Sequence, residues 1–424
     1  MRVTAAAVGT AVVVAVLGSA PAAPAAPAAA AAVPPSCADF QPEMPVEQYD
    51  GASEPLRLLG VEKAQHVLAG PGRPGAGVAV AVLDSGVRRG PGMDVVAGPN
   101  LAGLDELVDW HGTAVAGIIA GAPLPDGSPV GIAPGARIVD VRVYDSRDPQ
   151  SDRGEQPVTP ASVAAGLDWV ARFARDRGIG VANVSAAVPA SPALAAAVRR
   201  AWRAGVVVVA ATGNRPEEGG FLFPELGGEE RRPGEDAAGE VFPAGYPHVV
   251  GVNATRTGEP SGSPVTDFVL PSSDTDVAAP TYGALSVAVN GATCVIPEVA
   301  TSWSAAEVSG VLALLRSHYP RDRPAQAVAR LLNTANGTTA APTRLTGVGV
   351  VQPYQALTRP LEPRPDGAVE LTTVEHDAVR AAAPERPADL LADTRRDVVW
   401  WGLIGAGGLV VALVLRPVLA RRRT

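Results

Sequence analysis

Val78-Ala79-Val80-Ala81-Val82-Leu83-Asp84-Ser85-Gly86 is a bare apolar run that ends on a carboxylate and a turn. Such a run, with no polar alternation, reads as a strand covered on both faces, as in a parallel sheet. Ile138–Val143, Ile179–Val184, Val206–Ala211 and Val249–Val252 read the same way. Between them Val163, Leu167, Val170 and Ala174 recur at helical spacing, and Leu194–Ala204 is a second helical stretch closed by Gly205. Val308, Val311, Leu312 and Leu315 mark a third helix, beginning near Ser302 and stopped by Pro320, and a short helix at Val61–Leu68 precedes the first strand. Strands alternating with helices predict an α/β fold with a doubly wound parallel sheet. Ligands in such sheets bind beyond the carboxyl ends of the strands. Asp84 and Asn214 each follow a strand, so both are expected at that edge.

Two further segments carry chemistry. His111-Gly112-Thr113-Ala114-Val115-Ala116-Gly117 places an imidazole before a helix of small residues, and Ala300-Thr301-Ser302-Trp303-Ser304-Ala305-Ala306 places a hydroxyl at a helix start. A serine hydroxyl becomes a useful nucleophile when an imidazole takes its proton and a carboxylate fixes that imidazole's tautomer. Asp84, His111 and Ser302 are the candidates for these roles, in one of the chain orders that unrelated serine hydrolases use. Asn214, in Ala211-Thr212-Gly213-Asn214, offers an amide to an oxyanion, and the Ser302 N–H at the helix N-terminus offers another. His66, His248, His318 and His376 lack such surroundings and read as surface or structural residues. No Gly-x-Ser-x-Gly elbow surrounds Ser302, which argues against a lipase-like hydrolase.

The 424 residues allow one large domain with appendages. A net charge of −8 argues against a nucleic-acid partner. Acidic residues are scattered, with no ligand run of recognisable spacing, so neither a metal nor another cofactor is expected. Residues 1–32 read as a signal peptide with an Ala/Pro-rich segment, since Arg2 precedes the apolar Ala5–Leu17 and small residues follow. Residues 33–60 form an extension without a clear period, 61–358 the main domain, and 359–397 a linker rich in Pro, Ala and charge. Val398–Leu415 holds eighteen consecutive uncharged residues, enough for a transmembrane helix of roughly 27 Å. The arginines of the 416–424 tail place it in the cytoplasm and the main domain outside. Asp145–Pro160 and Arg215–Gly239, rich in Gly, Pro and charge, read as surface insertions. Cys37 and Cys294 both fall on the exported side, where pairing is favoured over two independent thiols, although sequence leaves both arrangements open.

These motifs, with Gly131-Ile132-Ala133-Pro134-Gly135-Ala136, Asp276-Val277-Ala278-Ala279-Pro280 and Val308-Ser309-Gly310, make the chain resemble the subtilisin-family serine peptidases over about Leu56–Ala356. More narrowly it resembles the mycosins, the membrane-anchored subtilases of type VII secretion. The C-terminal anchor, the short stretch between signal and core, and its lone cysteine carry that narrower likeness. The resemblance implies a subtilisin-like fold and endopeptidase activity on a polypeptide substrate. It implies Asp84, His111 and Ser302 as the triad and Asn214 in the oxyanion hole, with components of a membrane secretion complex as partners. Four positions depart from the family pattern. Ala300 replaces a glycine, Ser304 an alanine, and Trp110 a small residue. Ser185-Ala186-Ala187 replaces the Ser-x-Gly wall that pairs with substrate backbone. If position 300 needs a positive φ, an alanine there is strained. The alternative reading is therefore a weakly active or inactive protease-fold subunit with a structural role in a membrane complex.

Overall fold

The structure is a computed structural model, and it describes residues 35–46, 49, 51–68, 72–215, 234–256, 263–370 and 391–420. The signal segment 1–32, the tail end 421–424 and most of the Arg215–Gly239 insertion lie outside the described residues. The chain divides into two units, 1–370 and 371–424.

In the first unit seven parallel strands make the sheet: β1 (Ala79–Asp84), β2 (Val95–Asn100), β3 (Arg137–Arg142), β4 (Ile179–Val184), β5 (Val207–Ala211), β6 (Val249–Thr255) and β7 (Val277–Pro280). Their order is β2-β3-β1-β4-β5-β6-β7. A separate antiparallel hairpin joins β8 (Ala284–Val287) to β9 (Thr293–Ile296). The helices are α1 (Glu54–Leu58), α2 (Val61–Val67), α3 (His111–Ala120), α4 (Pro160–Arg177), α5 (Pro192–Arg203), α6 (Thr301–His318), α7 (Pro324–Thr334) and α8 (Pro353–Thr358).

Each central strand is buried throughout, as the bare apolar runs predict. Alternate residues of β1 serve different cores. Val80 and Val82 pack on the face shared with α3 and α6, while Ala79, Ala81 and Leu83 pack on the face shared with α4 and α5. That is the doubly wound α/β arrangement. Strand order reverses around β1 and β4, so the ends of β1 and β5 open onto one edge, where Asp84 and Asn214 stand.

The extension is structured in its described part. Cys37–Asp39 forms a single 3-10 turn, capped by Ser36, and Ser36 bridges to Val295 of β9. Cys37 and Cys294 form a disulfide with Cα atoms 4.9 Å apart. The bond closes a loop across 257 positions, worth on the order of 5 kcal/mol by the chain-entropy argument.

Two sequence expectations need correction. Asp145, the first residue of an expected surface insertion, is fully buried. Its carboxylate accepts from the Gly103, Leu104 and Gln156 amides and pairs with Arg142. Those loop amides have no sheet partner, and a buried charge satisfied this way binds them together. The first part of the expected linker is also docked rather than free. Arg330 donates to the Leu361 carbonyl, Gln326 to that of Pro363, and Arg359 reaches back to Asn333.

In the second unit, α9 (Ala392–Ala420) contains the expected Val398–Leu415 span. It is the one helix, among the described residues, long and apolar enough to cross a membrane. Its 29 residues amount to about 44 Å at 1.5 Å per residue.

Candidate active site

Asp84 ends β1, and His111 is the first residue of α3. The two meet across a buried gap, His111 Nδ1 lying 2.8 Å from Asp84 Oδ1. Neither side chain is more than 3% exposed. Gly112 makes the approach feasible, because a β-carbon there would sit 2.4 Å from the Gly86 carbonyl and 3.1 Å from Asp84 Cβ. An ionised carboxylate only accepts, so Nδ1 carries the imidazole proton and Nε2 is left as the basic nitrogen.

Further groups hold this pair. Asp84 Oδ1 also accepts from the Ser85 amide and from the Tyr144 hydroxyl, each at 2.8 Å. Asp84 Oδ2 is buried without a partner among the described residues. Asp109 accepts the His111 amide at the helix N-terminus, where a carboxylate is favoured, and its other oxygen pairs with Arg147. Burial pushes the Asp109 carboxyl up, but Arg147 and His111 more than offset it, and the group lies below its ordinary value. Arg147 rests over the Trp110 ring at 4.8 Å, and Trp110 stacks on Trp303 at 5.6 Å. Trp303 in turn lies 4.6 Å from the His111 ring and is fully buried, its Nε1 donating to Glu298. The departure at Trp110 thus joins Trp303, the neighbour of Ser302, in one aromatic wall behind the imidazole.

Ser302 is the second residue of α6, where the backbone N–H has no intrahelical acceptor. Ala300, the N-cap, offers no side-chain bond. Asn214 supplies the cap from across the sheet edge, its Oδ1 accepting from the Thr301 amide at 2.7 Å and from the Thr301 hydroxyl at 2.9 Å. Two donors on one atom identify it as the oxygen, so Nδ2 is the donor directed elsewhere. Gly213, at φ 108°, turns the chain after β5 to bring Asn214 to this point. Asn214 itself is exposed.

Ala300 has φ −149° and ψ 147°, ordinary extended backbone. An alanine is therefore unstrained there, and the departure at position 300 carries no conformational cost. Ser304 directs its hydroxyl to the Thr301 carbonyl within the same helix. Ser185 lies beyond β4, accepts from Asn183 and donates to the Ser302 carbonyl at 2.8 Å. Asn183 also accepts from Ser309, so the main chain of α6 is tied to the sheet next to Ser302. Ala186 and Ala187 follow, partly exposed. No hydrogen bond joins Ser302 Oγ to His111 Nε2 among the described residues, and no group of three or more His, Cys, Asp or Glu side chains is clustered to hold a metal.

Tyr144, Asp109, Arg147 and Trp303 escaped the sequence reading. Most of their roles come from contacts distant in sequence, such as Tyr144 with Asp84 and His111, 60 and 33 positions away, and Trp303 with His111. Position beside a motif was the only signal for Asp109 and Trp303.

Residues 75–349 match the subtilase family, Peptidase S8. The chain is 32% identical to Mycosin-1 of Mycobacterium tuberculosis, covering 80% of this chain and 82% of that protein. It is 31% identical to Subtilisin Savinase of Lederbergia lenta, covering 68% of this chain and 93% of that one. Among solved structures it resembles the MycP3 protease from the type VII (ESX-3) secretion system, with 32% identity, a TM-score of 0.56, and coverage of 74% of this chain and 91% of that one. With this site at the sheet edge and a membrane-spanning candidate in α9, the chain is a membrane-anchored member of the subtilase family of serine peptidases, within its mycosin branch.

Proposed function

We propose that Asp84, His111 and Ser302 act as a triad that cleaves polypeptides by acyl transfer. Ser302 Oγ attacks the peptide carbonyl, His111 Nε2 takes its proton and passes it to the leaving amine, and Asp84 holds the imidazole. Asn214 Nδ2 and the Ser302 N–H receive the oxyanion. The carrying observation is the buried Asp84–His111 pair, set at the same sheet edge as a helix N-terminus whose serine amide is unpaired within the helix. The Ser302–His111 bond forms when substrate orders the site, as such bonds commonly tighten in the Michaelis complex. Ala186 and Ala187 line the path of the substrate backbone, while the Ser185 hydroxyl is already engaged with the Ser302 carbonyl.

The protein serves type VII secretion, a reading supported by its likeness to Mycosin-1 and to MycP3. Residues 1–32 direct export, 33–60 form the extension, 61–358 the peptidase domain and 359–397 the connection to the membrane. The catalytic domain lies outside and residues 416–424 in the cytoplasm. The tail arginines and a disulfide that needs an oxidising compartment support that orientation.

Fluorophosphonate labelling of the full-length protein tests the chemistry. The wild type labels and Ser302→Ala does not. An unlabelled wild type would sink the enzymatic reading and leave the structural one, in which the protease fold serves a membrane complex without cleavage.

A further inference from the structure

We propose that Tyr144 is a positioning residue for the Asp84–His111 pair, its hydroxyl limiting how strongly Asp84 holds a proton on the imidazole. This rests on the catalytic reading above. Tyr144 lies two residues past β3, is 2% exposed, and packs in the same core as Leu83. Its hydroxyl is 2.8 Å from Asp84 Oδ1 and 3.4 Å from His111 Nδ1, so the three polar atoms form a triangle.

The protein's donors to Asp84 are unevenly divided. Oδ1 takes the Ser85 amide, His111 and Tyr144, while the buried Oδ2 takes none among the described residues. A carboxylate oxygen offers about two lone-pair sites. Three donors there share density, and each weakens the others' hold. The phenol is locked as a donor, because burial, with Asp84 and Asp109 nearby, keeps it protonated far beyond its ordinary range and Arg147 offsets this only in part. On β3, Asp140 lies close enough to feel the Asp84 charge, whereas Arg142, opposite Asp84 in register, directs its guanidinium to Asp145.

The sign follows. Without the Tyr144 hydroxyl, Asp84 Oδ1 offers more charge to the imidazole, and the protonated ring persists to higher pH. The hydroxyl therefore extends the working range of the site toward acid. It also orients the carboxylate plane.

The test uses the full-length protein and the pH dependence of fluorophosphonate labelling. In Tyr144→Phe, which keeps the ring, the acid limb is expected to move up by about half a pH unit or more. The probe concentration giving half-maximal rate should change less than twofold. A folded Tyr144→Phe whose limb coincides with that of the wild type overturns the proposal. Should that variant fail to fold, trifluorotyrosine at 144, a stronger donor of nearly the same shape, is expected to move the limb down, and an unmoved limb overturns the proposal equally. If the wild type does not label, the catalytic reading fails by itself. The far-downfield Nδ1 proton resonance of His111 then decides Tyr144: a shift in Tyr144→Phe supports its hold on the pair, and an unchanged resonance refutes it.

Discussion

The two halves of the candidate site are built on opposite plans. The Asp84–His111 half is sealed, with the carboxylate 0% exposed and the imidazole backed by Trp303 and Trp110. The Asn214–Ser302 half is open, with an exposed asparagine capping a helix whose first residue has no side-chain cap of its own. The difference follows from what each half must stabilise. A carboxylate–imidazole hydrogen bond in low dielectric is strong when its geometry is fixed, so the first half surrounds the pair with donors and rings. In the proposed reaction an oxyanion arrives with substrate, so the second half must present amides to the cleft.

The sealed half should be the harder to breach. Asp84→Asn replaces an acceptor with an amide that can donate toward Nδ1, presenting the wrong imidazole tautomer, and a fall of about 10⁴ in labelling rate is expected. Retention of the wild-type rate would show that Asp84 does not orient His111. Removing the open half's donor should cost less. Asn214→Ala is expected to lower the rate by about 10²–10³. It should also loosen the start of α6, since the Thr301 amide and hydroxyl lose their acceptor. Hydrogen exchange at Thr301 and Ser302 separates that loosening from the loss of the oxyanion donor.

A second buried carboxyl sharpens the contrast. Asp84 has three donors on one oxygen, whereas Glu307, five residues along α6 from Ser302, is fully buried with both oxygens unpartnered among the described residues. Burial pushes its carboxyl well above the ordinary glutamate value. A group of this kind binds its proton more tightly when folded. Its penalty is absent below the unfolded value and grows as pH rises toward the folded one. Asp140 and Asp276, each raised to about 6 chiefly by burial, act with the same sign. Glu307→Gln removes only its own share. Chemical denaturation at pH 7 should show the variant about 1–3 kcal/mol more stable than the wild type. The gain should shrink toward pH 4, and a pH-independent difference would refute the assignment.

How far the sequence could be read varies with the range of the contacts involved. The central strands were legible because Val, Ile and Ala runs covered on both faces need no partner to be recognised. β2 was missed, since Gly98 and Pro99 interrupt its run, and it survives as an edge strand where a proline loses no ladder bond. β7, four residues ending on Pro280, was hidden as a strand for the same reason. The candidates Asp84, His111 and Ser302 could be picked out because each sits in its own short motif. What braces them was not: Tyr144, the Asp109–Arg147 pair and the Trp110–Trp303 stack exist only once distant segments meet. The disulfide stayed open for that reason too, since nothing local relates Cys37 to Cys294.

Position 300 should give the smallest effect. Its alanine raised the concern that the site was compromised, on the assumption that the backbone there needs a glycine. At φ −149° and ψ 147° it does not. Ala300→Gly therefore relieves no strain and adds freedom to the unfolded chain, with an expected loss of about 0.5–1 kcal/mol of stability. The rate of fluorophosphonate labelling should stay within about twofold of the wild type, because no donor or acceptor side chain changes. A rise of tenfold or more would mean that the methyl group of Ala300, a residue 7% exposed beside Thr301, obstructs substrate approach. That outcome would shift the bottleneck of the open half from its amides to the space in front of them.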